Sequence, residues 1–124
     1  MIKNFNDLDA WKEGHKLVLM IYKATKIFPK EEIFAIVTQM RRSVVSITSN
    51  VAEGFSRPSY KDKAHFYSMA LGSITELQNQ LFVSKDVNYL EVGEFHAIYD
   101  QAVRVHKIIN GLIKKSKELS AHYS

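Results

Sequence analysis

The chain has 124 residues, 46% of them apolar, no cysteine and a formal charge of +4. Its length and apolar share predict one folded domain, residues 1–124, and argue against disorder. Without cysteine there are no disulfides, thiolate nucleophiles or cysteine zinc sites, which fits a reducing cytoplasm. No apolar signal core opens the chain, and the longest apolar run, residues 17–22, is far short of a membrane span. A cytoplasmic protein without membrane contact is the expectation.

Helix one is predicted over residues 7–26, capped by Asn6 or Asp7, with Leu8, Trp11, His15, Val18, Tyr22 and Thr25 recurring at three and four as its apolar seam. His15 reads as a core or interface histidine rather than a ligand. Phe28-Pro29 ends the helix, and Lys30-Glu31-Glu32 suits the opening of helix two, residues 30–53, with acids at its positive end. There Ile33, Val37, Met40, Val44, Ile47 and Val51 form a buried seam. Beside it runs a wholly polar row: Gln39, Arg42, Ser46, Ser49/Asn50 and Glu53. A plain bundle wall needs no such row, so it marks either an internal hydrogen-bond network or a contact surface.

Gly54 is the expected stop of helix two, followed by a loop over residues 54–59. Helix three starts at Ser59 as N-cap, with Asp62 three residues on, and runs to Ser84. It buries Phe66 or Tyr67, Ala70, Leu71, Ile74, Leu77 and Leu81. Gly72 in mid-helix predicts the close approach of another backbone. Ser73 and Glu76 share a face; turned toward helix two, Glu76 would pair with Arg42, and Ser46 or Asn50 would satisfy the remainder. A turn at Asp86-Val87-Asn88 leads to helix four, residues 92–119, with Phe95, Ile98, Tyr99, Ala102, Val105, Ile109, Leu112 and Ile113 inward. Gly111 is a soft spot there, costing about 1 kcal/mol relative to alanine. No alternation of period two is long enough for a strand. The fold class is all-α, an antiparallel up-down-up-down four-helix bundle.

Enzyme chemistry finds no support. The five histidines lie in no short metal-binding spacing, and the Glu-x-x-His of bundle metal sites is missing. All five glycines are isolated, so no phosphate loop is present, and no serine sits in a Gly-x-Ser-x-Gly turn. No catalytic residue, metal, cofactor or small-molecule substrate is expected. Charge is more informative: residues 101–117 contain no acid while Arg104, Lys107, Lys114, Lys115 and Lys117 add five cations. Cations at a helix C-terminus suit its dipole, and the same cluster suits an anionic partner such as nucleic acid. Residues 54–63 mix Phe55, Arg57, Tyr60, Lys61 and Lys63, a composition that fits base stacking or a protein hot spot equally well.

Asp7-Leu8 with Trp11, Phe28-Pro29 with Glu32, Gln39-Met40-Arg41-Arg42, Ser46-Ile47 and Asn50-Val51-Ala52-Glu53-Gly54 stand in a familiar order. With Arg57, Ala70-Leu71-Gly72-Ser73, Glu76 and Tyr89-Leu90, they resemble the four-helix-bundle proteins encoded in intervening sequences of bacterial 23S ribosomal RNA genes. Two departures are Ser43-Val44, where that family usually has small alanines, and Thr48, where proline is frequent. The resemblance implies a small bundle with no established enzymatic activity. It extends to the accessory protein of diversity-generating retroelements, a pentameric barrel with a basic surface that works with a reverse transcriptase and its nucleic acid. By that analogy the chain is a homo-oligomer, a pentamer being one form. The functional expectation is a non-catalytic protein binding structured RNA, ribosomal RNA included, or an RNA–protein complex. Arg104, Lys107, Lys114 and Lys115 would supply phosphate contacts, with Arg41 and Arg57 secondary. Gln39, Arg42, Ser46, Asn50, Glu53, Ser73 and Glu76 would form the structural polar network. The alternative is a protein–protein scaffold or adaptor with no nucleic-acid role.

Overall fold

The computed structural model describes residues 1–123. Its four long helices are α1 (Asp9–Thr25), α2 (Thr38–Ser56), α3 (Tyr60–Asp86) and α4 (Val92–Tyr123), and no strand occurs among the described residues. Each packs on the helix before and after it in the chain, and α1 closes the square against α4. The result is the expected four-helix bundle. Its core is one continuous cluster to which every helix contributes, among them Leu17 and Ile21 of α1, Val44, Ile47 and Val51 of α2, Ile74, Leu77 and Leu81 of α3, and Ile98, Val105 and Ile109 of α4.

In α1 the buried row is not the expected one. Ala10, Gly14, Leu17, Ile21 and Ala24 are buried, together with Val18 and Thr25, while Tyr22 is exposed and His15 only half-covered, stacked 4.7 Å from Trp11. Both rows repeat at four and three. Close helix contact selects the one with small residues: a Cβ on Gly14 would stand 3.0 Å from the Thr48 methyl of α2. The aromatic row lies alongside, where bulk is tolerated.

Helix two does not begin at Lys30. A 3₁₀ turn at Lys30–Glu32 passes into a π turn at Ile33–Val37, whose Ala35 leaves helical geometry (φ −121°, ψ −110°), and the α-helix opens at Thr38. The break shifts the phase, so Ile33 is exposed and Phe34 stands 95% exposed, whereas Val37, Met40, Val44, Ile47 and Val51 are buried as expected. A tertiary tie accompanies it: the Tyr89 hydroxyl donates to Glu32 at 3.0 Å, fixing this segment to the α3–α4 turn.

Gly54 is not a stop. α2 continues through it to Ser56, and a Cβ there would fall 2.6 Å from the ring of buried Tyr67. Glycine lets α3 press an aromatic ring against the α2 backbone. The helix end is closed instead by Lys63, whose ammonium donates to the carbonyls of Phe55 (2.6 Å) and Gly54 (3.4 Å). Ser59 caps α3 as expected, accepting from the Asp62 amide at 3.1 Å. At the far end of α3, Asn88 takes the left-handed conformation (φ 68°), and the Tyr89 and Leu90 amides return to the Ser84 carbonyl. Gly72, expected to mark a close approach, faces open space.

Candidate nucleic-acid interface and polar seam

The polar row of α2 does meet α3, but not through its arginine. Ser43, Ser46 and Asn50 stand at three and four along α2, and Ser73, Glu76 and Gln80 stand likewise along α3, so the two sets interlock as a ladder. The Ser43 hydroxyl donates to Glu76 at 2.6 Å, and Gln80 donates to the same oxygen at 3.3 Å. Ser46 and Ser73 share a hydrogen bond of 2.9 Å, and the Asn50 amide donates to the Ser46 carbonyl and hydroxyl. Arg42 and Gln39 stay exposed outside the ladder. The expected Arg42–Glu76 pair is absent because serine, one position inward, reaches the carboxylate without stranding a guanidinium between helices. Glu53 reaches only Arg57, 3.0 Å away, whose guanidinium lies over the Phe66 ring at 4.5 Å. One acceptor stays unmatched: Gln80 Oε1 is buried with no partner among the described residues.

Sequence reasoning missed Ser43 and Gln80 as members. Ser43 carried a signal, since it stands three residues before Ser46 at the spacing of the polar row. A hydroxyl donating to a carboxylate is worth about 1.5–3 kcal/mol, which an alanine forgoes.

The six basic residues assigned to phosphate contact do not form one patch. Arg41 is drawn into the α1–α2 junction, where its Nε donates to Thr25 at 3.0 Å and its guanidinium covers the Tyr22 ring at 4.7 Å. Arg57 lies sixteen residues further along the chain, about 24 Å by helix rise, held by Glu53 and Phe66. Arg104 turns toward α1, 3.4 Å from Glu13, whose carboxyl Lys16 and Gln101 also hold below its usual range. Lys115 borders a cleft that it shares with Asp7 and Asp9. Lys107 and Lys114 remain exposed, and neither meets a carboxylate among the described residues. Lys117 lies on the α3 side, where it and Lys61 border a groove of about 440 Å³ with His65, Ser68, Ser120, Ala64 and Ala121.

Lys63, the other basic residue of the α2–α3 junction, is committed to the α2 carbonyls, and burial pushes its ammonium below the usual lysine range. No group of three or more histidine, aspartate or glutamate side chains able to hold a metal occurs among the described residues, and no described helix is long and apolar enough to cross a membrane.

The arrangement defines a class: an antiparallel four-helix bundle with a hydrogen-bonded seam between α2 and α3 and cations gathered on α4. The family model for the 23S rRNA-intervening sequence protein matches residues 6–111, and the chain belongs to that family. A solved structure with the same fold is a protein of unknown function from the S23 ribosomal protein family of Bacteroides thetaiotaomicron VPI-5482. It is 21% identical, with a TM-score of 0.79 over 85% of this chain and 95% of that one. No curated protein matches the chain.

Proposed function

We propose that this chain is a non-catalytic, self-associating cytoplasmic protein that binds structured RNA or an RNA–protein complex. The observation that carries the reading is the acid-free course of α4 over residues 101–117, along which Lys107, Lys114 and Lys117 stand exposed to solvent. Such a surface attracts a polyanion and releases counterions when one binds. Arg104 and Lys115 add to the positive field from the α1 side. Membership of a family whose name refers to 23S rRNA supports ribosomal RNA as the first substrate to try.

The test is fluorescence anisotropy against a structured 23S rRNA fragment, titrated over salt. Micromolar or tighter binding with a steep salt dependence supports the proposal, and no binding at low salt overturns it. A second reading, a protein scaffold without a nucleic-acid role, is favoured by the 95% exposure of Phe34 at the opposite end of the bundle. The two separate on purification: an RNA binder isolated at low salt carries absorbance at 260 nm that high salt strips away, and a scaffold does not.

A further inference from the structure

The clefts of the bundle differ in the charge that lines them. The one between the start of α2 and the end of α3 is bordered by Glu32 and carboxamides, and the one beneath the N-terminal segment by Asp7 and Asp9. The cleft at the end of the core is lined by Lys63 and Lys115 without a carboxylate, but its Lys63 is half-buried and already engaged by backbone carbonyls. The groove between the first turns of α3 and the last turns of α4 also takes one lysine from each helix and no carboxylate, and here both lysines, Lys61 and Lys117, are exposed.

We propose that this groove, between Lys61 and Lys117, holds a phosphate of an RNA backbone, with the strand continuing along α4 past Lys114 and Lys107. The inference rests on the RNA-binding reading and moves its centre from Arg104 and Lys115 to the α3 side of α4. Two like charges facing each other across a concavity repel, and a bound anion turns that repulsion into attraction from both walls. Ala64 and Ala121, which also line the groove, are too short to fill it and leave room for a tetrahedral oxyanion between the ammonium groups. Ser68 and His65 supply further donors at its edge. From Lys117, Lys114 follows at three residues and Lys107 at seven more, so the three share one side of α4 over about 15 Å. A strand laid on that row meets cations repeatedly and no acid over residues 101–117, the course ending at Glu118 one turn beyond Lys114. Arg104, by contrast, is partly neutralised by Glu13, and Lys115 borders a cleft that Asp7 and Asp9 also line.

A membrane is the poorer occupant. Surface attachment to lipid needs an apolar face to insert beside its cations, and the groove offers serine, histidine and alanine.

The experiment compares Lys61→Gln/Lys117→Gln with the charge-matched Arg104→Gln/Lys115→Gln, using the full chain and a structured RNA hairpin titrated over salt. All four side chains are exposed, so both variants fold, as circular dichroism will confirm. The groove variant is expected to bind at least tenfold more weakly at low salt, with its slope of log K against log salt reduced by about 0.9, the value for the one phosphate that both lysines hold. The Arg104/Lys115 variant, which lowers only the surrounding positive field, is expected to lose less than half as much slope as the groove variant. Parent-level slope in the groove variant, or an equal loss in both, overturns the groove and leaves RNA binding standing. Failure of the parent chain to bind RNA overturns both, as does binding confined to anionic lipid vesicles.

Discussion

The two connections that flank α2 are built on opposite terms. That between α2 and α3 occupies residues 57–59 and is closed locally: Ser59 caps one helix, Lys63 caps the other, and the Tyr67 ring lies against Gly54. That between α1 and α2 occupies residues 26–37 and is held from a distance, by Tyr89 on Glu32 and by the Phe28 ring 5.5 Å from that of Tyr89. The first exposes no large apolar side chain within its three residues. The second leaves Ile27, Ile33 and Phe34 in solvent. Tight local closure leaves little surface to spare, whereas closure by a remote tie leaves a segment free to present side chains outward.

Substitutions sharpen that contrast in order of size. Gly54→Ala is expected to cost most, about 2–3 kcal/mol in urea unfolding, because the new methyl must displace a buried aromatic ring. A loss under about 0.5 kcal/mol would show that the α2–α3 junction is not tightly closed. Removing the N-cap by Ser59→Ala should cost about 1 kcal/mol. Tyr89→Phe should cost about 1 kcal/mol as well, and its amide-exchange signature should appear at residues 30–37 rather than at residue 89 alone. Uniform exchange across the chain would break the idea of a remote tie. Phe34→Ser should leave folding stability within about 0.5 kcal/mol, since its ring touches little of its own chain. Loss of self-association in that variant, by light scattering, would assign the exposed end to the contact between copies.

The same contrast explains what the sequence made legible. Short-range chemistry was readable: Ser59 followed by Asp62 marked a helix start, and Asp86-Val87-Asn88 marked a turn. The seam of α2 from Val37 onward was readable because a buried row of branched residues has one consistent phase. In α1 two rows had the same period, and the choice rested on Gly14 meeting Thr48, a contact between helices that no single helix specifies. The opening of α2 depended on a tie to Tyr89, fifty-seven positions away. For the candidate site, the residue types of the polar ladder were legible but its pairing was not. Which of Arg42 or Ser43 reaches Glu76 depends on a rotation of α2 by about one residue, which composition does not carry. The cations of α4 were legible as a list; their division between the α1 side and the α3 side needed the neighbours in place.

Helix length sets one more property of the molecule. At 32 residues α4 is about 48 Å long and α1, at 17, about 26 Å, so the shorter helix cannot accompany the longer along its whole course. The turns of α4 beyond Ser116 rest mainly on the opening turns of α3, with fewer neighbours than the middle of the helix. Such an end opens and recloses on its own, at a free energy well below that of global unfolding. Whatever occupies the space between these two helix ends would therefore act as a clasp, slowing amide exchange in the final turns of α4 while the centre of the bundle stays unchanged.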